Sequence, residues 1–203
     1  MEYTTQMDAA RKGIVTEELR KVAEKEHFEG NELMALVAVG KAGIPANKNH
    51  RCLDPNGIGS MLRTKINVNL GTSRDCKDLD MELEKVNYAV GMGAESIMDL
   101  SSWGDTQKFR RKLTAECPAI IGTVPIYDAV VYYHKPLKDI TTEEWLKIVE
   151  LHAEAGVDFM PILFGINRRT AQRFQYNKCL KRILSRGCSI IFTLLDIPGT
   201  GNP

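Results

Sequence analysis

The sequence predicts an α/β protein: a partial (β/α)8 TIM-type barrel of about five parallel strands, preceded by a helical amino-terminal cap. Strand-like and helix-like stretches alternate from residue 64 onward. Glycine precedes two predicted strands, in Gly93-Ala94-Glu95 and Gly156-Val157-Asp158, as expected where a helix ends and the chain turns into a strand. The same interval of 29 residues separates Asn69 from Met98 and Met98 from Tyr127, which is about one βα unit. Together these observations favour a parallel sheet.

Residues 1–60 are predicted to form the helical cap and a loop. One helix begins near Thr16, and a second covers residues 31–39 and is closed by the glycine that follows. The segments 44–50 and 54–59 are rich in proline, asparagine and glycine, so they cannot belong to one long regular element. We place the first of these loops near the mouth of the barrel, with its asparagines and histidine.

Residues 61–203 are predicted to form an incomplete barrel domain. Its strands are expected at 64–70, 96–101, 119–124 and 158–164, with a short fifth strand ending at Ser185. Its helices are expected at 78–92, 105–115, 127–134, 142–155 and 168–177, and again from about Ser189. Thr141 and Glu144 offer a capping box for the helix at 142–155. Five strands do not close an eight-stranded barrel, so its later half is expected to be absent from this chain.

Composition excludes several classes of partner. The 27 basic and 26 acidic residues give a formal charge of +1, so no strong field favours nucleic acid or an anionic membrane surface. Five cysteines, odd in number and without a C-x-x-C pair, indicate free thiols in a reducing compartment. The first residues lack a basic and an apolar region, so no export signal is expected, and no run approaches the ~20 apolar residues of a membrane span. These features predict a cytoplasmic protein.

Three side chains are candidates for a site because barrel enzymes place their chemistry where the strands end. Asn69 is unusual inside a strand, which favours function. Met98 lies in an apolar strand, where methionine more often packs in the core. Tyr127 could equally be a buried ring whose hydroxyl meets the backbone. The four histidines are dispersed without ligand spacing, so no metal site is predicted.

Five longer runs carry a resemblance to a known family: residues 5–14, 44–50, 65–71, 98–101 and 122–127. Together they resemble the ThiC family, and the match extends along essentially the whole chain. ThiC proteins are phosphomethylpyrimidine synthases of thiamine biosynthesis. They are radical S-adenosylmethionine carbon-carbon lyases that rearrange aminoimidazole ribotide on a (β/α)8 barrel.

The resemblance implies a set of substrate contacts: Asn69, Met98 and Tyr127, together with Ser185-Arg186-Gly187, would bind the ribotide. An amide can hydrogen-bond imidazole or ribose, and a phenol can donate to phosphate. An arginine followed by glycine lets a guanidinium and a backbone N–H approach an anion. Catalytic residues stay unknown.

The family's cofactors are S-adenosylmethionine and a [4Fe–4S] cluster, with zinc or iron at a metal site. The resemblance implies that the later half of the family's proteins holds the metal-binding histidines and a three-cysteine cluster motif. This chain is therefore expected to bind none of these groups and to be inactive alone. The family's dimeric habit implies a homo-oligomer, or a complementing chain, as partner.

Two positions depart from the family pattern. Leu163-Phe164-Gly165 stands where the family has His-Ala-Gly or His-Cys-Gly, and Cys188 replaces a second glycine after Ser185-Arg186-Gly187. The run 166–174 is closer to a subgroup that makes hydroxybenzimidazole, the lower ligand of an anaerobic cobamide. Three alternatives are therefore open: a hydroxybenzimidazole synthase-like protein, a non-catalytic module that binds the ribotide or a partner, or a truncated chain without function that would aggregate through its open sheet edge.

Overall fold

The computed structural model describes residues 2–176, 183–197 and 201. Within these ranges the chain is a mixed α/β protein. The helices are α1 (Gln6–Arg11), α2 (Glu17–Glu26), α3 (Gly30–Ala38), α4 (Leu79–Gly91), α5 (Thr106–Glu116), α6 (Pro125–Tyr133), α7 (Thr142–Glu154), α8 (Arg168–Gln175) and α9 (Arg186–Asp196), with a 3₁₀ turn at Leu137–Asp139. The strands are β1 (Ala42–Gly43), β2 (Ile58–Gly59), β3 (Asn67–Leu70), β4 (Ser96–Asp99) and β5 (Ile120–Thr123).

Threonine side chains cap the first two helices. The hydroxyl of Thr16 accepts a hydrogen bond from the Leu19 amide at 3.1 Å, so α2 begins where the sequence predicted. Thr5 caps α1 in the same way, although the sequence did not predict that helix. Buried side chains such as Leu33 of α3 and Ile44 pack with α2 in one apolar cluster. The predicted helices of this region are confirmed, and the division of the chain at residue 60 stays a prediction.

The central sheet is parallel, with the order β3-β4-β5. One face is apolar because alternate residues of each strand, Leu70, Ile97 and Ile121, point toward α4 and α5. Phe109 and Leu113 of α5 complete this buried cluster. The residues between them in each strand point to the other face of the sheet. Because the helices cover only the apolar face, the other face can carry polar groups.

The predicted strands agree with this sheet in part. The first three lie within 64–70, 96–101 and 119–124, but each has only four residues. The fourth, predicted at 158–164, is reduced to one parallel bridge between Gly122 and Phe159. The α/β class is confirmed, whereas the five-stranded partial barrel stays a prediction.

The predicted fifth strand ending at Ser185 is wrong for residues 183–185, which are not strand; residues 177–182 lie outside the described ranges. Ser185 is instead the N-cap of α9, and its hydroxyl accepts from the Cys188 amide at 3.4 Å. The helix therefore begins at Arg186 and not near Ser189. An N-cap serine has an extended backbone conformation although its side chain caps the helix that follows. This is why the sequence around Ser185 resembled the end of a strand.

The loop at 44–50 lies at the amino end of the sheet, so its predicted place near the mouth is wrong. The His50 ring meets the carbonyl of Cys117, just before β5, at 2.8 Å. The Asn47 amide donates to the Val157 carbonyl at 2.9 Å, and the Asn49 amide donates to the last residue of α7 at 3.0 Å. The two asparagine amides thus donate to backbone carbonyls at and just after the end of α7, where the helix supplies no partner. Their role is structural.

Most predicted helices are confirmed with bounds shifted by one or two residues. Gly93 and Gly156 have φ of +91° and +94°, as the turns from helix to strand require. Thr141 and Glu144 form the predicted capping box of α7. Among the described helices, none is long and apolar enough to cross a membrane.

Candidate functional site

The first part of the candidate site lies on the open face of the sheet. Asn69 and Met98 are paired in register at the third position of β3 and β4, so both side chains emerge on the same face near the carboxyl ends. Asn69 is exposed and Met98 is half-buried. The predicted alignment of these two residues is confirmed.

Asn69 belongs to a short polar chain along this face. The Asn67 amide donates to the Asn69 side-chain oxygen at 3.0 Å, and the Ser96 hydroxyl donates to the Asn67 oxygen at 2.8 Å. Among the described residues, the Nδ2 group of Asn69 has no acceptor. Its two N–H donors are thus available to a ligand above the sheet. The sequence analysis did not identify Asn67 and Ser96 as site residues. Both are polar positions that alternate with apolar residues in their strands, and this alternation places them on the same face as Asn69.

The next position of this face is occupied by an aromatic ring. Met98 pairs with Gly122 of β5, and a side-chain carbon added at Gly122 would lie 2.3 Å from the Phe159 ring. Glycine is therefore required here for the ring to reach the sheet. Phe159 forms an apolar wall beside Met98, and the sequence reading did not identify it.

Tyr127 does not continue the row of Asn69 and Met98. The strand residue paired with Met98 is Gly122, and Tyr127 comes five positions later, in the first turn of α6. The interval of 29 residues from Met98 to Tyr127 therefore does not connect paired positions of neighbouring strands. The reason is that α6 begins almost immediately after β5, with Pro125 as its first residue.

A second part of the site joins Tyr127 to the start of α9. The Arg186 guanidinium carbon lies 5.5 Å from the centre of the Tyr127 ring, a cation–π distance. A side-chain carbon at Gly187 would lie 3.5 Å from the same ring and 2.6 Å from Leu163. Tyr127, Arg186 and Gly187 are thus neighbours, although they are distant in sequence.

Leu163 lies where the resemblance placed a substrate-binding histidine. Its Cδ1 atom closes over Gly187, and it is half-buried. The described contacts form two groups, the pair Asn69–Met98 on the sheet and the cluster around Tyr127 and Arg186. Ser185 belongs to the second group as the cap of α9.

A buried polar network lies directly behind Tyr127. The carboxylate of Asp128 accepts hydrogen bonds from Arg110 at 2.7 Å and from His152 at 3.0 Å, and also from the Thr106 hydroxyl. His152 in turn accepts from the Thr123 hydroxyl at 2.7 Å. This network ties α6 to β5, α5 and α7, and the sequence reading missed it because its members are far apart along the chain.

The protonation states of this network follow from burial and pairing. Burial alone would raise the pKa of Asp128, but the hydrogen bond from His152 and the charge of Arg110 outweigh it and lower that pKa to about 2. Burial lowers the pKa of His152, so its imidazole is neutral at neutral pH and can accept from Thr123. Burial also raises the pKa of Asp99.

At the amino end of the sheet a second buried pair joins His50 to Asp158, with Nδ1 and Oδ2 2.7 Å apart. Burial opposes the charged imidazole, but the hydrogen bond and the charge of Asp158 outweigh it and raise the pKa of His50. Both ring nitrogens face acceptors, Asp158 and the Cys117 carbonyl, which suits the doubly protonated ring.

The described residues do not fit a metal ion or an iron–sulfur cluster. Within residues 2–176 and 183–197, no three His, Cys, Asp or Glu side chains come together as ligands. Burial raises the pKa of the Cys52 and Cys117 thiols, which disfavours the thiolates that a cluster needs. No chemical step through such a group is derived from these residues.

Comparison with known proteins gives one family. The family model described as the radical SAM ThiC family matches residues 5–203. Proteins named phosphomethylpyrimidine synthase from Clostridium botulinum (strain Kyoto / Type A2) and from Clostridium novyi (strain NT) are each 58% identical to the chain over 203 residues. Each match covers 100% of this chain and 46% of the relative, so the chain spans about half the length of these curated relatives.

Proposed function

The chain belongs to the radical SAM ThiC family, and from this premise we propose that it supplies part of the aminoimidazole ribotide site of a phosphomethylpyrimidine synthase. The activity would be that of a radical S-adenosylmethionine lyase of thiamine biosynthesis. The observation that carries the proposal is the convergence of Tyr127, Arg186 and Gly187 from separate parts of the chain, close to the carboxyl end of β5.

The two parts of the site suit the two ends of a ribotide. On the sheet, the free Nδ2 donors of Asn69 would bind the imidazole or ribose, while Met98 and Phe159 offer apolar surface to a ring. At the start of α9, the guanidinium of Arg186 and backbone N–H groups would bind the phosphate, since a helix amino terminus favours an anion. The role proposed for these residues is to bind and orient the substrate.

One observation favours a second candidate, a module that binds the ribotide without catalysis. Leu163 occupies the surface beside Gly187 and Tyr127 with an apolar side chain. An imidazole there could hydrogen-bond the substrate and exchange a proton near neutral pH, and leucine can do neither. Binding would then survive in this chain while one polar contact of the family is lost.

Calorimetric titration of aminoimidazole ribotide into the 203-residue chain tests the proposal. Asn69→Ala removes the free amide donors and is expected to weaken binding about tenfold, the effect of losing a hydrogen bond in a site of this kind. Asn87→Ala is the matched control, because Asn87 is an exposed amide on the outer side of α4. Absence of saturable binding, or equal affinities for the two variants, would contradict the proposal.

A further inference from the structure

The first turn of α6 begins at an apolar residue. Helices α2 and α7 begin at Thr16 and Thr141, whose hydroxyls accept hydrogen bonds from backbone amides. Val124 stands at the corresponding position of α6, where its side chain has no oxygen to offer, and Pro125 follows it. Tyr127 lies in this turn. The position of Tyr127 therefore depends on contacts other than a helix cap.

The carboxylate of Asp128 supplies these contacts. Asp128 directly follows Tyr127 in the chain. It accepts hydrogen bonds from two side chains of α5, those of Thr106 and Arg110, and from His152 of α7. A carboxylate in the first turn of a helix is also favoured by the partial positive charge of the helix amino terminus. Asp128 is 3% exposed, so the first turn of α6 is fixed from inside the protein.

His152 connects this carboxylate to the end of the sheet. Its Nε2 atom lies 3.0 Å from a carboxylate oxygen of Asp128. Its Nδ1 atom accepts at 2.7 Å from the hydroxyl of Thr123, the last residue of β5. Because burial keeps the imidazole neutral, one ring nitrogen can donate while the other accepts. Thr123 and Asp128 flank residues 124–127, so the segment that carries Tyr127 is held at both ends.

The ring of Tyr127 is placed by the backbone that carries it. The ring is half-buried, and its hydroxyl makes no hydrogen bond among the described residues. Its neighbours at the start of α9 are Arg186, whose guanidinium carbon is 5.5 Å from the ring centre, and Gly187. The position of the first turn of α6 therefore decides where the ring lies, and the hydroxyl keeps its capacity to bind a ligand.

We propose that Thr123, His152 and Asp128 are positioning residues, which hold the ring of Tyr127 beside Gly187 at the start of α9. The three side chains belong to residues that are 2%, 1% and 3% exposed, so they act through Tyr127 and not by touching a ligand. The placement of the ring follows from the contacts inside the protein. Its consequence for ribotide binding rests on the proposed function.

The place of the Tyr127 ring can be measured by NMR in the 203-residue chain without any ligand. A side-chain carbon at Gly187 would lie 3.5 Å from the ring, so a nuclear Overhauser effect is expected between the ring and the Cα protons of Gly187. The rings of Tyr132 and Tyr133, 4.9 Å apart at the other end of α6, give the reference signal. The ratio of the two signals reports the Tyr127 ring separately from the state of the whole helix.

Thr123→Val removes the hydroxyl that donates to His152 and is expected to lower this ratio. Thr106→Val removes a donor to Asp128 and is expected to do the same, so the test does not depend on one variant folding. Thr123→Ser keeps the hydroxyl and should keep the wild-type ratio. Thr114→Val is the matched control, because the Thr114 hydroxyl is also buried but donates to the carbonyl that follows α7. An unchanged ratio in Thr123→Val and Thr106→Val, or an equal fall in Thr114→Val, overturns the inference.

Calorimetric titration of aminoimidazole ribotide gives a second readout. Thr123→Val is expected to weaken binding about threefold while Tyr127 is present, because the phenol is displaced from its partner on the ligand. In a Tyr127→Ala background the same substitution should leave the affinity unchanged, since the residue that it positions is gone. An equal loss in both backgrounds would contradict the inference. If the wild-type chain binds no ribotide, the proposed function fails, and the ring signals still decide whether the network positions Tyr127.

Discussion

Replacement of Asp128 by asparagine should destabilise the protein strongly. The side chains of Asp128 and Arg110 are only 4% and 2% exposed, and their charged atoms are 2.7 Å apart. One pKa unit corresponds to about 1.4 kcal/mol. A pKa of about 2 against the ordinary 3.8 therefore indicates that the fold favours the charged carboxylate by roughly 2 kcal/mol at neutral pH.

The variant loses more than this because the guanidinium stays behind. Breaking a buried ion pair by removing one partner costs about 3–5 kcal/mol, since the remaining charge is desolvated without compensation. The Nε atom of Arg110 already lacks a hydrogen-bond partner among the described atoms, so the side chain has little to replace the carboxylate. We expect Asp128→Asn to lower the free energy of unfolding by about 3 kcal/mol.

Urea unfolding at neutral pH measures this change, with the fluorescence of Trp145 as the signal in a Trp103→Phe background, because Trp103 is the second tryptophan of the chain. Trp145 is buried in the apolar cluster that joins α6 to α7, so it reports on the region that Asp128 holds. Glu150→Gln is the control, because Glu150 forms an exposed pair with Lys147 and its loss should cost under about 0.5 kcal/mol.

A double variant separates the unpaired charge from other effects. Arg110→Met combined with Asp128→Asn removes both charges, and it should be more stable than Asp128→Asn alone. A loss below about 1 kcal/mol for Asp128→Asn, or strict additivity of the two substitutions, would refute the reasoning that the pair is desolvated and coupled.

Two further predictions follow from the other sites. The raised pKa of His50 means that its pairing with Asp158 stabilises the fold fully below the ordinary pKa of 6.5 and is lost as pH rises through the folded value. The unfolding free-energy difference between wild type and His50→Gln should therefore shrink as pH rises above the ordinary pKa and through the folded pKa of His50, and a difference that grows would contradict this sign. Leu163→His should tighten ribotide binding about threefold by calorimetry, whereas Leu163→Met should not; equal affinities would show that this position does not face the ligand.

The sequence was sufficient for elements whose cause is local. The caps at Thr16 and Thr141 and the left-handed glycines at 93 and 156 act within a few residues, so helix starts and the turns into strands were predicted correctly. The register of Asn69 with Met98 was also predictable, because one helix and its two turns set the length of a βα unit.

Long-range contacts were not predictable in the same way. Tyr127 had the same spacing as Met98, but α6 begins directly after β5, so equal spacing did not give equal position. The interpretation of His50 as a residue near the mouth failed because its partner Asp158 is 108 positions away. No feature of the sequence near His50 or near Asp158 indicates that they pair. The two residues meet only because α7 packs against the loop that carries His50.

The two ends of the sheet differ in how fully their polar groups are used. At the amino end, both ring nitrogens of His50 and both N–H groups of the Asn47 amide have acceptors within the protein. At the carboxyl end, the Nδ2 group of Asn69 and the guanidiniums of Arg74 and Arg186 are accessible and lack such partners among the described residues. A polar group whose partners are complete contributes to stability, which is the role of the amino end. A polar group with free donors at the open end of a parallel sheet can bind a ligand, so this contrast supports the proposal that the substrate binds at the carboxyl end.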